Sequence, residues 1–136
     1  MEKQKKVLDA SVIMKIFTNE KNSDKALAII EDYESEKTDI IVPELVFLEV
    51  LNALRYKKKN EDELKKASNQ LFDLELKTEK ISSSILNKAI NISLEHNITI
   101  YDALYVSLAQ FNGCPLITAD KELFKLPNVI PLEKID

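Results

Sequence analysis

Four acidic residues stand where an acid is costly. Asp9 ends the apolar pair Val7-Leu8, Glu49 interrupts LVFLEVLNAL, Asp102 opens YDALYVSLAQ, and Asp120 follows LITA. An unpaired ionised carboxylate in apolar surroundings costs several kcal/mol or takes up a proton. If these four converge, like charges crowd together and need a counter-charge. Arg55 is the only arginine, so a guanidinium is a poor answer. A hard divalent cation with oxygen ligands is the natural one, and Mg²⁺ or Mn²⁺ fits carboxylates plus water.

Each acid also has a plainer reading. Asp9 and Asp120 could cap the short helices that follow them. Thr99 and Asp102 have capping-box spacing, and Glu49 with Asn52 could be an exposed stripe on an ordinary helix. The joint pattern carries the argument, not any single residue.

Scarcity excludes other chemistry. The 136 residues include one glycine, one cysteine and one histidine. A Gly-rich phosphate loop, a disulfide framework, a Cys-rich zinc site and an HExxH zinc site are therefore absent. Any Ser-His-Asp triad would need His96, which reads as a helix-end residue. Cys114 reads as a reduced, partly buried thiol. The net charge of −4 disfavours bulk electrostatic binding of nucleic acid and leaves it to local basic patches. No secretory leader or membrane-length apolar run is visible, so a cytoplasmic location is expected.

Elements must position the acids. Strands are expected at Lys5–Asp9, Asp39–Val42, Glu75–Ile81, Pro115–Thr118 and Val129–Leu132. Helices are expected at Ser11–Thr18, Ser23–Ser35 with Ser23 as N-cap, Pro43–Lys58, Glu61–Phe72, Ser83–Asn97 and Tyr101–Phe111, with a single turn at Lys121–Lys125. Asn112-Gly113 should stop the helix before it. Leu45–Leu54 is apolar nearly all round, which predicts a helix buried on several sides. The alternation predicts one α/β domain spanning residues 1–136, with helices covering both faces of a mainly parallel sheet. Ligands of such sheets sit beyond the carboxyl ends of the strands, where Asp9 and Asp120 fall.

The segments KVLDAS (Lys6–Ser11), EVLNAL (Glu49–Leu54), YDALY (Tyr101–Tyr105) and LITAD (Leu116–Asp120) resemble, in order and spacing, the four acidic motifs of the PIN-domain family. The resemblance covers essentially the whole chain. Its short length is most similar to the VapC toxins of toxin–antitoxin pairs. It implies a three-layer α/β/α fold and a metal-dependent endoribonuclease that leaves a 5′-phosphate and a 3′-hydroxyl. By position, Asp9, Glu49, Asp102 and Asp120 would be the catalytic, metal-binding acids, with Mg²⁺ or Mn²⁺ as cofactor. Ser11 and Thr118 would orient a carboxylate or water, and Asn52 matches a polar position after the glutamate. The resemblance also implies an RNA substrate (tRNA, rRNA or mRNA), a cognate antitoxin and a homodimer.

Arg55, Lys57 and Lys58, with Tyr56 between them, could track an RNA backbone, or simply complement a helix C-terminus. Lys15 and Lys121 fall near the edges of the expected site without an assigned role. Rival functions compete with the nuclease. A haloacid-dehalogenase-like phosphatase wants Asp-x-Asp, and Ser11 holds the second position. A receiver wants further acids before the strand-end Asp, and Val7-Leu8 are apolar. A non-catalytic interaction module could keep the same fold, and a nuclease could serve housekeeping RNA processing instead of acting as a toxin.

Overall fold

A computed structural model describes residues 3–136. The described residues form five strands, β1 (Gln4–Leu8), β2 (Thr38–Pro43), β3 (Lys77–Glu79), β4 (Leu116–Thr118) and β5 (Val129–Pro131), all parallel and in the order β3-β2-β1-β4-β5. Helices α1 (Ala10–Ile13), α2 (Ser23–Glu34), α3 (Leu45–Tyr56), α4 (Glu61–Asp73), α5 (Ser83–His96) and α6 (Ile100–Phe111) supply the crossovers. The expected α/β class and the three-layer arrangement hold.

The chain runs β1 to β2 to β3 in one direction and then returns past β1 to β4. Right-handed crossovers put α1–α4 on one face of the sheet and α5 and α6 on the other. The packing agrees: α3 touches α1 and α4, while α6 packs on α5, β1 and β2. The central strands are buried from both sides. Val7, Leu8, Ile40, Val42, Leu116 and Ile117 are fully enclosed, as near-continuous apolar runs in a parallel sheet should be. The reversal between β1 and β4 is the topological switch point, and a crevice opens there beyond the carboxyl ends.

The helix expected at Ser11–Thr18 is α-helical only over Ala10–Ile13 and continues as a 3₁₀ turn over Met14–Phe17. Three further local expectations differ from the structure. Pro43 does not open a helix. It is the last residue of β2, in register with Glu79, and α3 begins at Leu45. Proline has no N–H to give, so it suits the end of a ladder as well as a first helical turn. Ser23 is the first residue of α2 rather than its cap. Its hydroxyl donates to the Thr18 carbonyl and accepts from the Glu20 amide, closing the loop before the helix, while left-handed Asn22 takes the cap position. The third concerns α3. Val46, Val50 and Leu54, four residues apart, form one buried stripe, but Leu48 is 71% exposed and Tyr56 is exposed as well. α3 packs against α1, α4 and β2, with Leu45, Phe47, Leu51 and Ala53 partly buried as well, but its face at Leu48 and Tyr56 stays open.

Candidate metal centre

The site is built from the ends of four elements. β1 leads straight into Asp9, whose extended backbone starts α1 and whose carboxylate Oδ1 accepts from the Val12 amide at 3.3 Å. The cap reading of Asp9 is thus correct, but it accounts for only part of the residue's bonding. Ser11 Oγ donates to Oδ1 and Thr118 Oγ1 donates to Oδ2, each at 2.5 Å. Both hydroxyls are themselves held. The Ala119 amide donates to Ser11 Oγ at 2.9 Å and the Asp120 amide to Thr118 Oγ1 at 3.0 Å. Asp9 is 4% exposed and Thr118 is completely enclosed, so the short bonds fix the carboxylate between β1 and β4.

Asp120 follows β4 and caps a 3₁₀ turn, Lys121–Leu123, by accepting from the Glu122 amide at 3.0 Å. Asp102 lies in the first turn of α6, where the Thr99 hydroxyl accepts from its amide at 3.1 Å. This turn and the end of β4 meet. Ligand oxygens of Asp102, Asp120 and Glu122 all lie within 4.8 Å of one another. Glu49 approaches from α3, with Oε1 accepting from the Tyr105 hydroxyl at 2.6 Å. Tyr105 is one turn after Asp102 on α6 and is 1% exposed, so a buried phenol holds a part-exposed carboxylate.

Electrostatics tie the acids together. Burial pushes Asp9 up to about 6, against the pull of Ser11, Thr118 and the Val12 amide, and the charge of Asp102 adds to the rise. Burial also raises Asp102, followed by the charges of Asp120, Glu49 and Glu122, with the Thr99 bond opposing. Tyr105 is driven well above the ordinary phenol range by burial and by its bond to Glu49, with further contributions from the charges of Glu49, Asp9 and Asp102. Among the described residues, no lysine or arginine nitrogen lies within 4 Å of Asp9, Glu49, Asp102 or Asp120. Acids crowded around a raised Asp9 and a raised Asp102, with no basic partner, fit a hard divalent cation, with oxygen ligands of the type Mg²⁺ and Mn²⁺ accept.

The four expected acids are therefore brought to one region. Asp102 and Asp120 join the tightest group, while Asp9 and Glu49 border it. Glu122 belongs to that group although nothing in the sequence singles it out. Its two-residue spacing from Asp120 is the available signal. Tyr105 reads in the sequence as one of the core aromatics, and its position three residues after Asp102 is the signal that it shares the site's face. Ser11 and Thr118 sit against Asp9. Asn52 is exposed one turn after Glu49 and makes no hydrogen bond to the acids among the described residues.

The expected basic stretch divides. Arg55 is exposed and shares with Glu49, Asn52, Leu48, Lys65 and Tyr101 an open groove of about 810 Å³. Lys57 is held by Glu20 at 2.5 Å, and this bond lowers the Glu20 carboxyl below its usual range. Lys58 lies past the end of α3 in a left-handed turn. Only Arg55 of the three lines the groove beside Glu49.

Fold and site together define an α/β domain with an acidic centre at the switch point of a parallel sheet. The chain belongs to the PIN-domain family, whose model matches residues 6–129. It is 33% identical over 125 residues to Ribonuclease VapC3 of Pyrobaculum aerophilum, covering 88% of this chain and 92% of that protein. A toxin–antitoxin complex from Klebsiella pneumoniae contains a chain that superposes with a TM-score of 0.70 at 16% identity, over 93% of this chain and 96% of its own. VapBC2 from Rickettsia felis, bound to a DNA fragment from its promoter, gives 0.69 at 17% identity, over 94% and 97%. These two similarities establish the fold.

Proposed function

We propose that this protein is a Mg²⁺- or Mn²⁺-dependent endoribonuclease and the toxin of a VapBC-type pair. The carrying observation is the convergence of Asp9, Glu49, Asp102 and Asp120, from four separate elements, on the switch point of the sheet. The name of the 33%-identical relative supports RNA as the substrate.

In this reading Asp102, Asp120 and Asp9 would hold the cation, and Glu122 would offer a further oxygen donor. A divalent ion held there would supply positive charge against the phosphate and lower the pKa of a water. Thr118 and Ser11 hold Asp9 in one rotamer, so its carboxylate needs little reorganisation on binding. Glu49 Oε2, the oxygen not bonded to Tyr105, accepts the proton of the attacking water. The water oxygen bonds to phosphorus, the bond to the 3′ oxygen breaks, and that oxygen takes a proton from solvent. The products are a 5′-phosphate and a 3′-hydroxyl.

The antitoxin is part of the same proposal. Its support is the likeness to the Klebsiella pneumoniae toxin–antitoxin complex and the groove beside Glu49, with exposed Leu48 and Tyr101 on its walls. A homodimer is consistent with the apolar surface that α3 leaves open. No helix among the described residues is long and apolar enough to cross a membrane.

The test is a cleavage assay on tRNA and rRNA with Mn²⁺, with EDTA, and with Asp102→Asn. Cutting that requires Mn²⁺ and is lost in the variant supports the reading. Equal cutting in EDTA, or no cutting by the wild type with Mn²⁺, overturns it. Growth arrest on expression, relieved by a small DNA-binding partner, separates a toxin from a housekeeping nuclease.

A further inference from the structure

The acidic centre repels the phosphates of an RNA strand, so cations must draw the strand across it. Such cations stand around the turn that follows Asp120. A small recess of about 190 Å³ is lined by Lys15, Lys21 and Lys121, with Ala119, Phe124 and Glu133 among its other walls. Ala119, whose amide donates to Ser11 Oγ, lies between Thr118 and Asp120, and Lys121 follows Asp120, so the recess borders the segment that carries Asp120, although none of the site acids lines it.

The three lysines are arranged differently. Lys15 is the fixed one: its side chain is 14% exposed, its Nζ donates to the Lys21 carbonyl at 3.0 Å, and Glu20 Oε1 lies 3.7 Å away. That glutamate is also bonded to Lys57, so its charge is divided between two ammonium groups. Lys21 and Lys121 are exposed residues whose ammonium groups have no carboxylate within 4 Å among the described residues. Among the described residues only Lys3, Lys15, Lys57, Lys59, Lys65 and Lys77 pair with a carboxylate, so unpaired lysines are common on this surface; what marks this place is that two of them line one recess with the locked Lys15.

We propose that this recess is a phosphate subsite, which holds a backbone phosphate of the RNA next to the one being cut. The inference rests on the nuclease reading of the acidic centre. Its size suits a phosphate group, since pockets for larger organic ligands run from about 300 to 1,000 Å³. Ammonium groups are compact, hydrated point charges that attract phosphate without fixing its orientation. The contact is therefore to backbone and carries no base preference. Arg55 and Lys65 stand in the groove on the Glu49 side. A strand held in the recess would cross the acids toward them.

The experiment is steady-state cleavage of a single-stranded RNA that the wild type cuts, in Mn²⁺ and at several salt concentrations. The enzymes are wild type, Lys21→Ala/Lys121→Ala, and Lys125→Ala as a control outside the recess. The double variant should raise KM about fivefold with kcat little changed, and flatten the dependence of log KM on log salt by about 0.7 for the lost phosphate contact. The loss should be confined to RNA. Bis(p-nitrophenyl) phosphate has no neighbouring phosphate, and an equal loss on that substrate would overturn the assignment. An unchanged KM and salt slope for RNA would overturn it too, while leaving the nuclease reading intact. A wild type that cuts neither substrate would remove the nuclease reading and this subsite with it.

Discussion

Thr118 Oγ1 donates to Asp9 Oδ2 across the seam between β4 and β1, joining residues 109 positions apart at the point where the strand order reverses. The same oxygen accepts from the Asp120 amide. One hydroxyl therefore sets both strand-end aspartates. Thr118→Val keeps the shape and removes the donor from a buried carboxylate. Hydrogen bonds to charged groups contribute about 1.5–3 kcal/mol, so urea unfolding at pH 7 should show a loss of about 2 kcal/mol. A loss below about 0.5 kcal/mol, the ordinary scatter of neutral substitutions, would mean that Ser11 and the Val12 amide suffice.

Asp9 should make the metal-free protein sensitive to pH. Its folded value near 6 lies above the ordinary 3.8. A raised carboxyl favours the folded state while protonated, below about pH 4, and this advantage is lost as pH climbs through 6. The rise of about two pH units corresponds to about 3 kcal/mol. In EDTA, Asp9→Asn should therefore gain stability relative to wild type between pH 4 and pH 7. Calorimetric Tm differences that stay constant across this range would contradict the stated environment of Asp9.

Tyr105 and Glu49 form the second arm of the centre. Tyr105→Phe retains the buried ring and removes the phenol that fixes Glu49 Oε1. Partners that orient a functional carboxylate typically change activity by about 10- to 100-fold, so kcat on RNA should fall roughly tenfold. Glu49→Gln should make the Tyr105 effect largely disappear, because the two act as one unit. Full additivity in that cycle would show that Tyr105 serves packing alone.

Much of this arrangement is legible in the sequence because parallel sheets obey strong rules. Apolar runs ending in Asp9 and Asp120 mark strand ends, and the alternation with helices places those ends on the ligand-binding edge. Capping and site chemistry are not separable from sequence, since Asp9 and Asp120 do both. Glu122 is hidden because an exposed glutamate after a capped turn has nothing distinctive about it. Tyr105 is hidden because a buried tyrosine at helical spacing is ordinary core, and only its hydroxyl partner on α3 makes it more. Lys57 looks available for RNA until the fold brings Glu20, far away in the chain, to within 2.5 Å. The exposed Leu48 shows the limit of hydropathy: α3 is apolar on faces that this chain alone does not cover.

The central claim is that separate carboxylates share one divalent cation, and a calorimetric titration with Mn²⁺ tests it most directly. Wild type should bind with saturable heat, and Asp120→Asn should bind at least about tenfold more weakly while its circular dichroism spectrum and Tm show an intact fold. Equal Mn²⁺ affinity in the two proteins, or no binding by wild type, would contradict the account.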